Sequence, residues 1–534
     1  MGCGASSATS VCYVHPSWTS SGSTKVPALD QGGHVNCLII GAGFSGLSCA
    51  NEICKHNKGL SVHILEASDR IGGRCVTDKD GVDLGGQYVG YKQHHVLRLA
   101  EEMGTTAFKI YKEGEARFMF GGPSQAWDDD LPPLPGQGQQ YVQRLYTELD
   151  KLAKSINFEE PEQTKMEALD KTTFRDWCQQ VCPGMDRDAV NARNVLENMF
   201  EGGACADASQ FSVLGVAYQV HSEGGLRAMM SGGIEDHKIA GGMGGLCERL
   251  WKSLPSDLVS LKSPVKCIDY TDTGSKGPVK ITYQRADGST ASVTADYVVL
   301  STPPNQTLKI EFQPPLPQMK AEGWSQWPMG QVIKTVVQYK TPWWRNKGLS
   351  GEASCDVGPV TNSMDDNIAS DTLPALLGFI PGRLALQWGQ ATSEERKNAV
   401  LQQYAQMYGD QRAITECVCY KEKNWADEPY IGGGYGCVAL PGATVKYPFD
   451  QLFAPIADEK IRFAGSDSSD HMGGYVDGAI KAGEREGRNV LVCQGLLPKS
   501  EYNNYKDPGS SKLIKKSIFK PGLESIAALL WEYL

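Results

Sequence analysis

No run of eighteen or more apolar residues without a charge occurs in the sequence, so no spanning helix is expected. It also lacks the charged and apolar regions of a secretory leader, and its 16 cysteines are therefore expected as free thiols in a reducing, intracellular setting. That setting is the cytoplasm or the cytoplasmic face of a membrane. Zinc-type spacing is missing as well: Cys178 with Cys182, and Cys417 with Cys419, each stand without a second pair, and no metal site is expected. Positive charge is in deficit, with 52 basic against 62 acidic residues and a net charge of −10, which argues against a nucleic-acid partner. There is no internal repeat.

Glycine is in excess, 59 in 534 residues or about 11% against roughly 7% in average chains, and it marks places where backbone must approach something closely. Residues 1–33 are rich in Ser, Thr and Gly without an apolar period and read as a flexible arm. Order begins near His34. Val35 to Ile40 is an almost continuous apolar run, the pattern of a buried parallel strand, followed by a glycine loop and by Leu47, Ala50, Ile53 and Cys54 at helical spacing. Val62 to Leu65 completes a βαβ unit. Val142, Leu145, Leu149 and Leu152 share a helical face, as do Val400, Leu401, Tyr404 and Tyr408 behind a capping box of Thr392 and Glu395. Strands are expected at Val279 to Tyr283, Tyr297 to Leu300 and Gln331 to Tyr339, giving a mixed α/β chain.

Gly41-Ala42-Gly43-Phe44-Ser45-Gly46 sits between the first strand and the first helix, where a G-x-G-x-x-G turn lets a pyrophosphate reach bare amides at a helix N-terminus. Glu66 ends the second strand, placed to accept hydrogen bonds from both ribose hydroxyls of an adenosine. NAD and FAD share this fingerprint. The continuation, Glu66-Ala67-Ser68-Asp69-Arg70-Ile71-Gly72-Gly73-Arg74 and then Gly85-Gly86-Gln87-Tyr88, resembles the second half of the FAD site in flavin amine oxidases. Two further Gly-Gly steps with Arg74 suit a flavin dinucleotide, and a nicotinamide enzyme needs neither.

The resemblance returns near the other end in Arg462-Phe463-Ala464-Gly465-Ser466-Asp467 and in Gly474-Tyr475-Val476, similar to the closing flavin-contacting segment of monoamine oxidases. Gly330 to Lys334, Pro342 to Arg345 and Lys423 to Tyr430 fall between in the same order. Over about residues 34–495 the chain is thus identified as similar to the monoamine oxidase family, only loosely so at 105–235. The resemblance implies an α/β fold: a Rossmann-like FAD-binding domain with an interleaved α+β substrate domain. The FAD-binding part would take 34–91, 227–300 and 428–500, the substrate-binding part 92–226 and 301–427, and the tail 501–534.

By the same resemblance Tyr435 and Tyr475 form an aromatic cage before the flavin, and Lys334 holds a water against flavin N5 and favours reaction with O2. Trp425 packs beside the flavin, Arg74 neutralises phosphate charge, and the backbone of Val265 meets the adenine. Ser466 and Asp467 stand where the family usually has Thr-Glu. Gly434 stands where monoamine oxidases carry the flavin-linking cysteine, so FAD is expected to be non-covalent. Amino-acid oxidases place an Arg near the Gly-Gly turn, where this chain has Gln87 and Tyr88, and the leading expectation is therefore oxidation of a primary or secondary monoamine. Polyamine or L-amino-acid oxidation and a catalytically idle flavin scaffold are the alternatives. The family's cavity glutamine is absent near Ser222.

Gly2, with Cys3 beside it, fits the acylation pattern M-G-x-x-x-[ST], which implies peripheral membrane association. Lys512, Lys515, Lys516 and Lys520 precede apolar residues at helical spacing in the tail. A homodimer is a further expectation.

Overall fold

In a computed structural model that describes residues 32–56, 59–127, 131–157, 162–222, 224–230, 235–275, 277–367 and 373–503, the chain builds two large sheets. The acylation residues Gly2 and Cys3, the rest of the arm to residue 31 and the lysine-bearing tail lie outside the described residues.

The first sheet has eight strands, and His34–Ile40 lies near its middle. It runs parallel to Val62–Leu65 on one side, with Cys37 opposite Val62, and to Thr290–Leu300 on the other, with Cys37 opposite Tyr297. Burial on both faces explains the unbroken apolar run. Ile461–Phe463 joins the far side of Thr290–Leu300, also parallel. The chain therefore leaves four parallel strands at one edge, through Gly41, Glu66, Ser301 and Ala464, which is where open α/β sheets take their ligands. Val265–Asp269 and Val279–Gln284 extend the sheet in antiparallel fashion. Glu311–Gln313, within the stretch 301–427 expected in the substrate-binding part, pairs in parallel with Val265–Asp269 at the end of this sheet.

Two helices cover the edge where the motifs gather. Phe44–Lys55 packs directly on Val476–Cys493, and the approach is closed by glycine: a Cβ at Gly483 would lie 2.1 Å from the Ser45 carbonyl oxygen, and one at Gly487 2.8 Å from that of Cys49. This couples the first glycine turn to the last.

The second sheet has seven strands, in the order Cys417–Asn424, Val332–Tyr339, Ala375–Pro381, Asn362–Asp365, Leu349–Cys355, Glu115–Met119 and Gln125–Trp127. Val332–Tyr339 is paired on both sides and every residue in it is buried, so Lys334 does not sit on a solvent edge. Gly138–Ser155 and Arg187–Ala204 pack around Val142, Leu145, Leu149, Leu196 and Phe174, and Ser393–Tyr408 begins with the expected capping box. A three-stranded sheet of Tyr88–Val89, His237–Ile239 and Ala107–Lys109 carries the turn after Gly86.

Candidate active site

The first glycine turn has the form a dinucleotide needs. Gly41 takes φ = +103°, and a Cβ at Gly46 would sit 2.0 Å from the Gly41 carbonyl oxygen, so neither position admits a side chain. Gly43 faces open space, and no side chain caps the helix it begins, which leaves that helix's first amides for an anion. A Cβ on Gly73 would come within 3.6 Å of Gly43 Cα, so the second glycine turn lines the same cradle. Glu66 is buried at the end of its strand. Its Oε2 accepts from the Ala42 amide at 2.6 Å and its Oε1 from the amide and hydroxyl of Ser68, each at 2.8 Å.

The amides of Ser263 and Lys262 donate to the carbonyls of Glu66 and Ser68, and so hold the segment that leads to Val265 against the end of the Glu66 strand. A cleft of about 540 Å³ opens here, lined by Ala67, Ser68, Lys262, Pro264, Gln284 and Arg285. It gives an adenosine end room beside Glu66.

At the Gly-Gly turn, a Cβ on Gly85 would meet the Arg74 carbonyl oxygen at 2.2 Å and the Trp425 ring at 2.9 Å. Trp425 is fixed by donation from Nε1 to the Leu84 carbonyl at 3.0 Å, and a Cβ on Gly86 would lie 3.8 Å from Val476. Arg74, expected to neutralise phosphate charge, also makes a protein network of its own. Its guanidinium donates to the Tyr435 carbonyl, to Ser466 Oγ at 2.8 Å and to Asp467 Oδ2 at 2.9 Å. Asp467 also accepts from the Cys437 amide at 3.1 Å. Arg74 thus ties the segments of both cage tyrosines together with its charge matched by Asp467.

Lys334 is 2% exposed and donates from Nζ to the Gly85 carbonyl at 3.0 Å and to Gln87 Oε1. Burial pushes its ammonium down to about 8, although Asp366 and Asp83 act against that shift. Gln87 is held in turn, since its Nε2 donates to Asp366 Oδ1 at 3.0 Å, and Lys238 donates to the same oxygen at 2.7 Å. Asp366 is wholly buried; burial opposes its charge, but Lys238 and Lys334 outweigh it and hold the carboxyl below the usual range. Sequence reasoning missed Lys238 and Asp366. A lone lysine in the short strand His237–Ile239 was the available signal, the same one that marked Lys334.

Tyr435 follows a turn pressed against the start of the lysine strand: the Gly434 amide donates to the Gly330 carbonyl at 2.6 Å, and a Cβ on Gly433 would strike that oxygen at 2.2 Å. The Tyr435 ring meets Phe379 edge to face at 6.0 Å, and Lys334 Nζ lies 6.0 Å from the same Phe379 ring. Tyr475 precedes the closing helix, and a Cβ on Gly436 would lie 3.6 Å from Gly474 Cα, so the two tyrosine segments touch through their neighbouring glycines. A Cβ at Gly434 would meet both Cys205 Sγ and Val332 at 3.1 Å, and no room is left there for a longer side chain without repacking.

These residues fit FAD on the structure's own terms. A bare helix N-terminus faces a glycine-lined cradle, a buried carboxylate with a cleft beside it stands at one end, and a buried lysine and an aromatic wall stand at the other. No helix among the described residues is long and apolar enough to cross a membrane, and no group of three metal-ligating side chains occurs among them.

Comparison with known proteins gives the same account. Residues 44–491 match the family described as flavin containing amine oxidoreductase. The chain is 32% identical over 475 residues to amine oxidase [flavin-containing] B of Mus musculus, covering 87% of each chain, and equally similar to that of Homo sapiens. Among solved structures, putrescine oxidase bound to putrescine aligns with a TM-score of 0.76 and 29% identity, covering 86% of this chain and 99% of that one. Cyclohexylamine oxidase from Brevibacterium oxydans IH-35A aligns with a TM-score of 0.77 and 26% identity over the same shares. With its glycine turns, buried lysine and tyrosine segments in the family's order, the chain belongs to the flavin-containing amine oxidoreductases.

Proposed function

We propose that this chain oxidises the α-carbon of a primary or secondary monoamine with non-covalent FAD, yielding an imine that water hydrolyses to an aldehyde and ammonia or an amine. When bound, FAD supplies the hydride acceptor and passes the electron pair to O2 as hydrogen peroxide. The observation that carries the reading is the buried Lys334, anchored to the Gly85–Gln87 turn and facing the same Phe379 ring as Tyr435. Tyr435 and Tyr475 would orient a neutral amine, with few charges near the carbon that loses hydride. Arg74, the arginine nearest the turn, is matched by Asp467, which speaks against a substrate carboxylate clamp.

The test is anaerobic mixing of the yellow holoprotein with tyramine, benzylamine, a polyamine and an L-amino acid. Bleaching by monoamines, with peroxide on readmission of air, is the expected result; a protein that stays yellow with all of them removes the oxidase reading. Y435F combined with Y475F is expected to lower turnover by roughly 10- to 100-fold while FAD stays bound. Acid or heat precipitation should release the flavin to the supernatant, because Gly434 offers no sulfur and its surroundings no space.

A further inference from the structure

The cleft beside Glu66 is lined from distant parts of the chain, among them Arg70 of the second glycine turn and Glu428, Pro429 and Tyr430 just after Trp425. Arg70 and Glu428 are paired with each other: Arg70 Nη2 donates to Glu428 Oε2 at 3.0 Å, and both side chains are half-buried, within reach of solvent. Each end of this link is braced. Arg70 Nη1 donates to the Gly73 carbonyl at 2.8 Å, which fixes the guanidinium to the turn that lines the cradle. Lys423 donates from Nζ to the other carboxylate oxygen of Glu428, and the same Nζ lies 5.0 Å from the centre of the Trp425 ring. This lysine stands directly opposite Lys334 in the paired strands. The Glu428 carbonyl accepts from the amides of Ile431 at 3.0 Å and Gly432 at 2.8 Å, and so starts the turn that leads to Tyr435. Burial opposes the charge of Glu428, but Lys423 and Arg70 outweigh it and hold the carboxyl below the usual range.

The two segments joined by this pair are ones that carry residues suited to FAD: Glu66, Gly73 and Arg74 on one, Trp425 on the other. Lys423 belongs to the Glu428 side and aims its carboxylate, so moving the segments apart breaks the charge-assisted bond to Arg70. We propose that Arg70 and Glu428 form a cofactor clasp that closes the cleft over bound FAD, and that opening of the clasp sets the rates at which FAD is taken up and released. The inference rests on the reading of non-covalent FAD above, since with Gly434 in place of a linking cysteine retention falls to the protein's own closure. Association slows when binding requires a conformational change, so a clasp slows uptake as well as release. An ordinary cofactor contact slows release alone.

The experiment measures both rates in the wild type, E428Q, R70K and K423M. Release is followed as the change in FAD fluorescence after the holoprotein is diluted, and uptake as the reverse change when FAD is added to the stripped protein. E428Q should speed release and uptake alike, each by about tenfold, so that Kd moves much less than either rate. K423M, which leaves the pair but loses its aim, should speed both by about threefold. R70K should act in the same direction, because a single ammonium lacks the fork that serves Gly73 and Glu428 together. Faster release with unchanged or slower uptake would overturn the inference and make Glu428 an ordinary contact or a structural support; unchanged release would overturn it outright. Should E428Q fail to hold flavin, R70K and K423M decide by the same two rates. Failure of the non-covalent reading looks different: acid precipitation leaves the flavin on the wild-type chain, no exchange takes place, and the clasp falls with that reading.

Discussion

Lys334 does nothing alone. Its ammonium is aimed by Gln87, whose amide is oriented by Asp366, whose charge is met by Lys238, so a single buried chain fixes the direction of Nζ. In D366N the amide of residue 366 can donate as well as accept, and the orientation of Gln87 is no longer dictated. D366N should therefore slow reoxidation of reduced flavin by O2 about tenfold while leaving amine-driven reduction nearly unaltered, a split that stopped-flow separates. A mutation that merely loosened the fold would slow both halves. The lysine titrates near its value of about 8, so its charged fraction falls from about nine-tenths at pH 7 to about one-tenth at pH 9. Because the charged form is the one that stabilises negative charge on reduced oxygen, the wild-type oxygen step should slow as pH rises through this window. In K334M it should be slow and flat across the same range.

At the level of elements, the junction of Phe44–Lys55 with Val476–Cys493 joins the two ends of the sequence at the cofactor cradle. Gly483→Val would drive a side chain into the Ser45 carbonyl, where even a Cβ falls at 2.1 Å, and the helices must separate. We expect a loss of about 3 kcal/mol in chemical denaturation together with weakened FAD retention, whereas an exposed substitution such as Lys154→Ala should alter neither. The elements with a strong period were legible in the sequence: the βαβ unit, the strand of Lys334 and the capped helix Ser393–Tyr408. Thr290–Leu300 was read only from Tyr297, because its first half alternates exposed or half-buried Thr and Ser with buried Ala and Val in an antiparallel pairing, and no continuous apolar run announces it. Glu311–Gln313 was not read as a strand at all, because three residues carry no period. The glycine turns and Lys334 stood out as local exceptions to pattern, and Gly434 through its departure from the family. Asp366 did not, since its meaning depends on Lys238, which is 128 residues away in the chain.

For the molecule as a whole, the residues suited to FAD come from segments around 41–46, 66–74, 85–88, 425 and 465–476, so the cofactor would bridge regions that span most of the described chain. Arg74 already ties two of these segments, 66–74 and 465–476, to each other and to Tyr435, whereas the cradle beside Gly43 and Gly73 is backbone without a side chain to brace it. A ligand that binds the native state alone stabilises it by about 2.7 kcal/mol at a hundredfold excess over Kd. Stripping FAD should therefore lower the melting temperature of the whole chain by several degrees, and adding it back should restore that temperature in proportion to the logarithm of its concentration. Calorimetry should show one transition moving as a unit, because the shared helix pair and the Arg74 network leave the sheet of His34–Ile40 no independent way to unfold. Two transitions, with only the lower one answering to FAD, would mean instead that the sheet containing Lys334 folds without the cofactor's help.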